Sequence, residues 1–183
     1  MKKYIQILLD ILAMALLVVA DQVTKHLAVI HLKDQDPIIL IQNVLQFRYL
    51  ENRGAAFGML QNKKLLFIFI ALIMLTAIFY VLIKLPGKKK YFIWHIFLCL
   101  IAAGGIGNMI DRITQDYVTD FIYIILIDFP IFNVADIFVT LGTVLLFVDI
   151  LFFKKESDLS FLKWERRSRC IFLQPRTIRR QHC

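Results

Sequence analysis

Residues 65–83 read LLFIFIALIMLTAIFYVLI and contain no charged side chain. A helix of about 20 such residues is long enough to cross the hydrocarbon core of a bilayer. Three further apolar runs of similar length lie at residues 4–20, 91–110 and 134–153. The sequence therefore predicts four transmembrane helices, in a chain of 183 residues of which 59% are hydrophobic. The first run continues into polar residues without a small-x-small cleavage site, so we expect an uncleaved signal-anchor.

Lysine and arginine are distributed unevenly around these runs. If the four helices alternate in direction, 15 of the 22 basic residues fall on the side that carries both termini. Basic flanking segments stay in the cytoplasm, so both termini are expected to be cytoplasmic. The segments at about 21–64 and 111–133 would then face outward.

The two outward segments contain strand-like patterns. Residues 44–50 alternate between apolar and polar side chains, and residues 121–127 are rich in Ile, Tyr and Phe. The predicted fold class is an all-α transmembrane four-helix bundle with a small extracytoplasmic β-cradle, α+β overall. Two interpretations of the sheet stay open: a surface for lipid or an apolar substrate, or a packed cap over the bundle. The glycines at 104, 105 and 107 indicate close helix packing in lipid.

The residue types on the outward segments exclude several chemistries. Serine occurs only at 157, 160 and 168, and cysteine only at 99, 170 and 183, so neither can supply an outward nucleophile. No His-Glu-x-x-His pattern exists, and we expect no metal and no cofactor. The remaining candidates are carboxylates, amides and two basic residues near the outer ends of the spans: Asp21, Lys25, Asn108, Asp111, Arg112, Asp120, Asn133 and Asp136.

Most of these residues also have a purely structural interpretation. Asp111, beside Arg112, is expected to form a structural ion pair or to anchor backbone. Asp21 and Lys25 are expected to anchor the first helix at the membrane interface. Asn133, followed three residues later by an acid, has the pattern of a helix N-cap.

Asp120 and Asp136 together predict acid–base catalysis. Two carboxyl groups that share a site cannot both ionise easily, so the pair holds one proton. The ionised partner can take a proton from water while the protonated partner donates to a scissile carbonyl. A helix N-terminus favours charge on Asp136, whereas desolvation opposes that charge, so which of the two acids holds the proton stays open.

Five sequence blocks, in order among the four spans, resemble those of bacterial lipoprotein signal peptidase (signal peptidase II). They are DQVTK at 21–25, NRGAAF at 52–57, GNMIDR at 107–112, VTDF at 118–121 and FNVAD at 132–136. The resemblance covers roughly residues 1–153.

The resemblance implies an aspartyl endopeptidase of the bacterial inner membrane with Asp120 and Asp136 as its catalytic dyad. Its substrates would be diacylglyceryl-modified prolipoproteins, cleaved just before the lipidated cysteine, and globomycin would inhibit it. The residues implied to shape or support the pocket are Asn52, Gly54, Asn108, Arg112, Asn133 and Ala135. Asp21, Lys25 and Asp111 are further candidates for supporting the pocket. We expect the chain to contact membrane lipids and not to bind nucleic acid. We also expect it to act as a monomer.

The sequence also predicts a division into a domain and a tail, and it leaves two alternative functions open. Residues 1–155 are predicted to form the peptidase domain. Residues 156–183, which are rich in arginine, are predicted to form a cytoplasmic tail that is attracted to anionic lipid. A small transporter or proton-conducting protein is one alternative, although its acids should lie near the bilayer midplane. A non-enzymatic membrane scaffold is the other.

Overall fold

The computed structural model describes residues 3–54, 63–154, 158 and 161. Its four long helices are α1 (Lys3–Leu32), α2 (Lys64–Lys84), α3 (Phe92–Gln115) and α4 (Val134–Phe153). All four are long and apolar enough to cross a membrane, which confirms the predicted spans. Helix α1 continues past the first apolar run, through the polar residues that follow it, and ends at Leu32. The proposed tail lies outside the described residues, apart from 158 and 161.

A three-stranded antiparallel sheet connects the helices at one end of the bundle. Its strands are β1 (Ile38–Ile41), β2 (Leu45–Asn52) and β3 (Val118–Ile124), in the order β1-β2-β3. The two predicted strands are confirmed with shifted limits. β3 starts at Val118 and stops at Ile124, because Ile125–Ile127 turn into a 3₁₀ helix. The sequence did not predict β1.

Helix α3 lies against the other three helices, and its small residues make this possible. A Cβ added at Gly104 would collide with the Ala135 carbonyl of α4 and would lie 2.7 Å from Cγ2 of Val139. A Cβ at Gly107 would collide with the Asp21 carboxylate of α1. The interpretation of these glycines as close-packing positions is confirmed. This packing brings α1 and the N-terminus of α4 to the same end of α3.

The opposite end of the bundle is held by an aromatic and charged cluster. The indole N–H of Trp94 donates to Asp149 at 2.6 Å, and Lys154 pairs with the same carboxylate at 3.1 Å. Tyr91 packs edge-on against Trp94 with ring centroids 6.3 Å apart. Polar anchoring thus occurs at both ends of the bundle, and the predicted catalytic acids lie at the sheet end.

Candidate active site

Asp120 lies on β3 and is almost completely buried, with 2% of its surface exposed. Its Oδ1 accepts a hydrogen bond from the Asn133 side-chain amide at 2.6 Å. Its Oδ2 accepts one from the Asn52 side-chain amide at 2.8 Å. Asn52 ends the neighbouring strand β2, so the sheet itself brings this donor to the carboxylate. Both carboxylate oxygens of Asp120 therefore have a fixed neutral donor.

Asp136 lies in the first turn of α4 and belongs to a capping box. The Asn133 side chain accepts from the Asp136 backbone N–H at 3.0 Å, and Asp136 Oδ2 accepts from the Asn133 backbone N–H at 3.1 Å. The predicted N-cap is confirmed. Asp136 Oδ1 accepts from the Asn108 side-chain amide at 2.7 Å. A positive helix terminus and two donors thus surround a half-buried carboxylate.

The orientation of each asparagine amide is determined by a second partner. The Oδ1 of Asn52 accepts from the Gly54 backbone N–H at 3.0 Å, so its amide nitrogen must point to Asp120. The Oδ1 of Asn108 accepts from the Lys25 ammonium at 3.0 Å, so its nitrogen must point to Asp136. Asn133 also donates to Asn108 at 3.1 Å and links the surroundings of the two acids.

Lys25 is the centre of a buried ion cluster beside the acids. Its ammonium lies 2.9 Å from Asp21 and 3.0 Å from Asp111, and none of the three side chains is more than 4% exposed. Asp21 also accepts from the Ala135 backbone N–H at 2.9 Å. The prediction that Asp21 and Lys25 anchor α1 at the membrane interface is wrong. Close packing of α1 on α3 buries both residues, and burial is tolerated because the charges are paired.

Asp111 is an ion-pair partner and a backbone anchor, as predicted, but its ionic partner is Lys25. It also accepts from the Thr119 backbone N–H at 3.2 Å, which ties α3 to β3. Adjacent helix residues point about 100° apart, so Arg112 faces elsewhere. Arg112 donates to the carbonyls of Asn108 at 3.2 Å and Gly54 at 3.4 Å.

One cavity of about 560 Å³ contains both acids in its lining. Its polar lining comes from the two carboxylates and their neighbours, and its apolar lining from the loop before α4 and from α2 and α4. The lining residues are Asn52, Gly54, Phe67, Arg112, Asp120, Phe129, Pro130, Ile131, Phe132, Asp136, Ile137, Thr140 and Leu141. Asn108 and Asn133 donate to the acids without lining this cavity, and Ala135 and Asp21 are completely buried outside its lining.

Burial raises the pKa of Asp120 to about 7, and the nearby charge of Asp136 adds to the rise. The hydrogen bonds from Asn52 and Asn133, and the positive charge of Lys25, oppose this rise in the pKa. A carboxyl group with a pKa near 7 can hold a proton at neutral pH and donate it in a hydrogen bond. The cavity therefore contains one candidate acid beside a second carboxylate.

The structure adds a supporting residue that the sequence analysis missed. The Gln22 side chain donates to Asp111 at 2.9 Å and to the Gly107 carbonyl at 3.3 Å. Its polar character between Asp21 and Lys25 was the available signal. Within residues 3–54 and 63–154, no group of three His, Cys, Asp or Glu side chains could hold a metal ion.

The fold and this cavity define a multi-pass membrane protein with two carboxyl groups at one end of its helix bundle. The family model described as signal peptidase (SPase) II matches residues 13–152. The chain belongs to the signal peptidase II family, and it is therefore a member of a peptidase family. This assignment favours a peptidase over the transporter and scaffold alternatives.

Similar proteins support the assignment over most of the chain. A lipoprotein signal peptidase of Clostridium tetani is 43% identical over 147 residues, which cover 78% of this chain and 92% of that protein. A lipoprotein signal peptidase of Clostridioides difficile is 39% identical over 150 residues, which cover 82% of this chain and 99% of that protein. The structure of a bacterial membrane enzyme, solved by the in meso method at 2.3 Å resolution, superposes on this chain with a TM-score of 0.70 and is 34% identical in sequence. The match covers 86% of this chain and 92% of that enzyme.

Proposed function

We propose that the protein is a membrane aspartyl endopeptidase that removes signal peptides from diacylglyceryl-modified prolipoproteins. Cleavage occurs just before the lipidated cysteine, and Asp120 and Asp136 activate the water molecule. The observation that carries the proposal is that both carboxyl groups line one cavity, each with fixed amide donors. The substrate class is suggested by the relatives, which are named lipoprotein signal peptidases.

The two acids have different roles in the proposed reaction. Ionised Asp136 takes a proton from water as the oxygen attacks the scissile carbonyl carbon, and protonated Asp120 donates a hydrogen bond to the carbonyl oxygen. The resulting tetrahedral intermediate collapses as the C–N bond breaks, and the proton held by Asp136 passes to the departing amine. The products are a signal peptide with a free carboxyl terminus and a lipidated cysteine with a free amine.

The cavity geometry suits a substrate that is partly embedded in lipid. A second cavity of about 370 Å³ lies between α2, α3 and α4 and shares Phe67, Arg112, Asp136 and Thr140 with the first. The second cavity contains residues deep in α2 and α3, such as Met74 and Gly105. A helical signal peptide can follow this path while the scissile bond lies between the acids. Globomycin is expected to compete for the same space.

The proposed topology follows from the charge distribution and the position of the acids. Both termini are cytoplasmic, the spans cross the bacterial inner membrane, and the sheet and both acids lie at the extracytoplasmic face. One chain contains every proposed catalytic group, so a monomer is sufficient for activity.

The test is cleavage by single Asp120→Asn and Asp136→Asn variants. Each variant is expressed in membranes, its insertion is confirmed, and a diacylglyceryl-modified prolipoprotein is followed by gel shift. We expect unprocessed precursor with either variant. The matched control is Asp116→Asn, because this side chain is 66% exposed at the end of α3 and should leave cleavage intact. Normal cleavage by both catalytic variants would refute the assignment.

A further inference from the structure

Thr140 contributes a hydroxyl-bearing side chain to the lining of both cavities described above. It lies on α4 one helical turn after Asp136, so the two side chains share a face of the helix. Of the residues that line these two cavities, Thr140 is the one with an aliphatic hydroxyl group. Because α4 begins at the sheet end, four residues at 1.5 Å each place Thr140 about 6 Å deeper in the bundle than Asp136. It therefore lies on the path that the proposed reaction assigns to the signal peptide.

The hydroxyl of Thr140 has no hydrogen-bond partner within the described part of the chain. The hydroxyls of Thr76 and Thr114, by contrast, donate to the carbonyls four residues earlier in their own helices, at 2.7 and 2.9 Å. Thr143 resembles Thr140 in being exposed and in lacking such a bond, but it lines neither cavity. Thr140 thus combines an unpaired hydroxyl with a position on the substrate path.

The other polar side chains that line the second cavity are engaged at the level of the acids. Asn108 donates to Asp136 at 2.7 Å, and Arg112 donates to the carbonyls of Asn108 and Gly54. The deeper lining from α2 and α3 is apolar, with Met74 at its far end. Beyond the acids, Thr140 is therefore the polar side chain that this cavity lining offers to a substrate.

Cleavage requires that the signal peptide leave its helical conformation near the scissile bond. A helix engages each carbonyl in an internal hydrogen bond and winds its backbone closely around it, whereas water must reach the scissile carbonyl carbon. Where a helix ends, its last four carbonyls lose their internal partners. Hydrocarbon supplies no donors for such carbonyls, so the protein has to supply them.

We infer that the hydroxyl of Thr140 donates to a main-chain carbonyl of the signal peptide that unwinding leaves unpaired. The inference rests on the proposed function and adds a substrate-binding residue to it. An extended chain rises about 3.3 Å per residue, so the depth of Thr140 below Asp136 corresponds to about two residues. The residue just before the cysteine places its carbonyl at the acids. The partner of Thr140 is then the carbonyl of the third residue before the cysteine.

The first test measures cleavage of a synthetic lipopeptide that contains a signal peptide, a diacylglyceryl-modified cysteine and a short polar tail. Thr140→Val keeps the shape of the side chain but removes the hydroxyl, and we expect the kcat/KM of the purified protein to fall about tenfold, as for one lost hydrogen bond. Thr140→Ser keeps the hydroxyl and should stay close to wild type. Thr143→Val, the matched control on the same helix, should also cleave as wild type. A wild-type kcat/KM in Thr140→Val, or an equal loss in Thr140→Ser, would overturn the inference.

A change in the substrate identifies the group that Thr140 binds. An ester in place of the amide after the third residue before the cysteine makes that carbonyl a weaker acceptor. The ester should slow cleavage by the wild-type protein but have no further effect on Thr140→Val, in which the hydrogen bond is already lost. A control ester between the seventh and sixth residues before the cysteine should affect both proteins equally. Equal effects of the first ester on wild type and on Thr140→Val would contradict the assignment.

Failure of this inference can be told apart from failure of the proposed function. Cleavage of the unmodified lipopeptide by Asp120→Asn and Asp136→Asn would contradict the proposed function. If those variants are inactive and Thr140→Val cleaves like wild type, only the binding role of Thr140 is refuted. Thr140 donates to neither acid, so the pH at which kcat/KM falls should be the same in Thr140→Val as in wild type. A shifted pH dependence would mean that the substitution acts on the acids and not on the substrate.

Discussion

The Lys25 ammonium lies 3.0 Å from Oδ1 of Asn108, and the amide nitrogen of Asn108 lies 2.7 Å from Asp136. A buried cation of α1 therefore determines how α3 presents a donor to an acid of α4. The same cation lowers the pKa of Asp120. The ion cluster of Lys25 thus acts on the proposed catalytic pair without lining its cavity.

Removal of the amide at position 108 should reduce catalysis more than stability. Asn108→Ala takes away the donor to Oδ1 of Asp136 and the acceptor for Lys25. We expect kcat to fall by about 10²-fold or more, the usual effect of losing one preorganised donor. Cleavage of a lipid-modified precursor by the purified variant measures this loss. Thr114→Val, near the C-terminal end of α3, is the control. An Asn108→Ala enzyme with wild-type kcat would show that this donor has no catalytic role.

Removal of the buried cation should destabilise the bundle. Lys25→Met retains most of the side-chain volume but leaves Asp21 and Asp111 buried without their counter-ion. Breaking a buried ion pair in this way costs about 3–5 kcal/mol. We expect a clear drop in the thermal unfolding temperature of the detergent-solubilised protein. A triple variant that adds Asp21→Asn and Asp111→Asn should recover part of it. If Lys25→Met unfolds at the wild-type temperature, the cluster is not a stabilising element.

The contact between α3 and α4 should not tolerate a methyl group at position 104. Gly104→Ala places a Cβ against the Ala135 carbonyl, which is rigid backbone at the start of α4. We expect a loss of about 1–3 kcal/mol in stability and lower cleavage activity, because Asp136 lies in the same turn. Gly105→Ala is a matched control, since its Cβ would meet the flexible end of Met74 at 2.7 Å. Equal unfolding temperatures of the two variants would contradict this account.

The helices and the cap of α4 could be predicted because their signals are local. A run of about 20 apolar residues is visible without any partner, and the Asn133–Asp136 spacing defines a capping box by itself. Helical spacing predicts that Asn108, Asp111 and Arg112 share one face of α3. Asn108 and Asp111 both contact Lys25, whereas Arg112 donates to the carbonyls of Asn108 and Gly54.

The remaining features depend on contacts between residues distant in sequence. The partner of Asp111 is Lys25, 86 positions earlier, and only the packing of α1 on α3 brings them together. Strand β1 is four residues long and exposed along its whole length, so it has no alternating pattern to reveal it. The donor from Asn52 to Asp120 depends on the pairing of β2 with β3, which the sequence does not encode in any single segment.

The pKa of Asp120 gives a pH prediction with a defined direction. In the proposed reaction Asp120 must be protonated, and its pKa is raised to about 7. The kcat/KM of the wild-type enzyme should therefore fall as the pH rises through about 7, since this parameter reports the free enzyme's acid. Asn52 stabilises the ionised form by donating to Oδ2, so Asn52→Ala should raise the pKa further and move the fall to higher pH. Thr140→Val changes the cavity lining without removing a donor to either acid and should keep the wild-type profile. A fall that moves to lower pH in Asn52→Ala, or does not move, would mean that Asp120 is not the protonated partner.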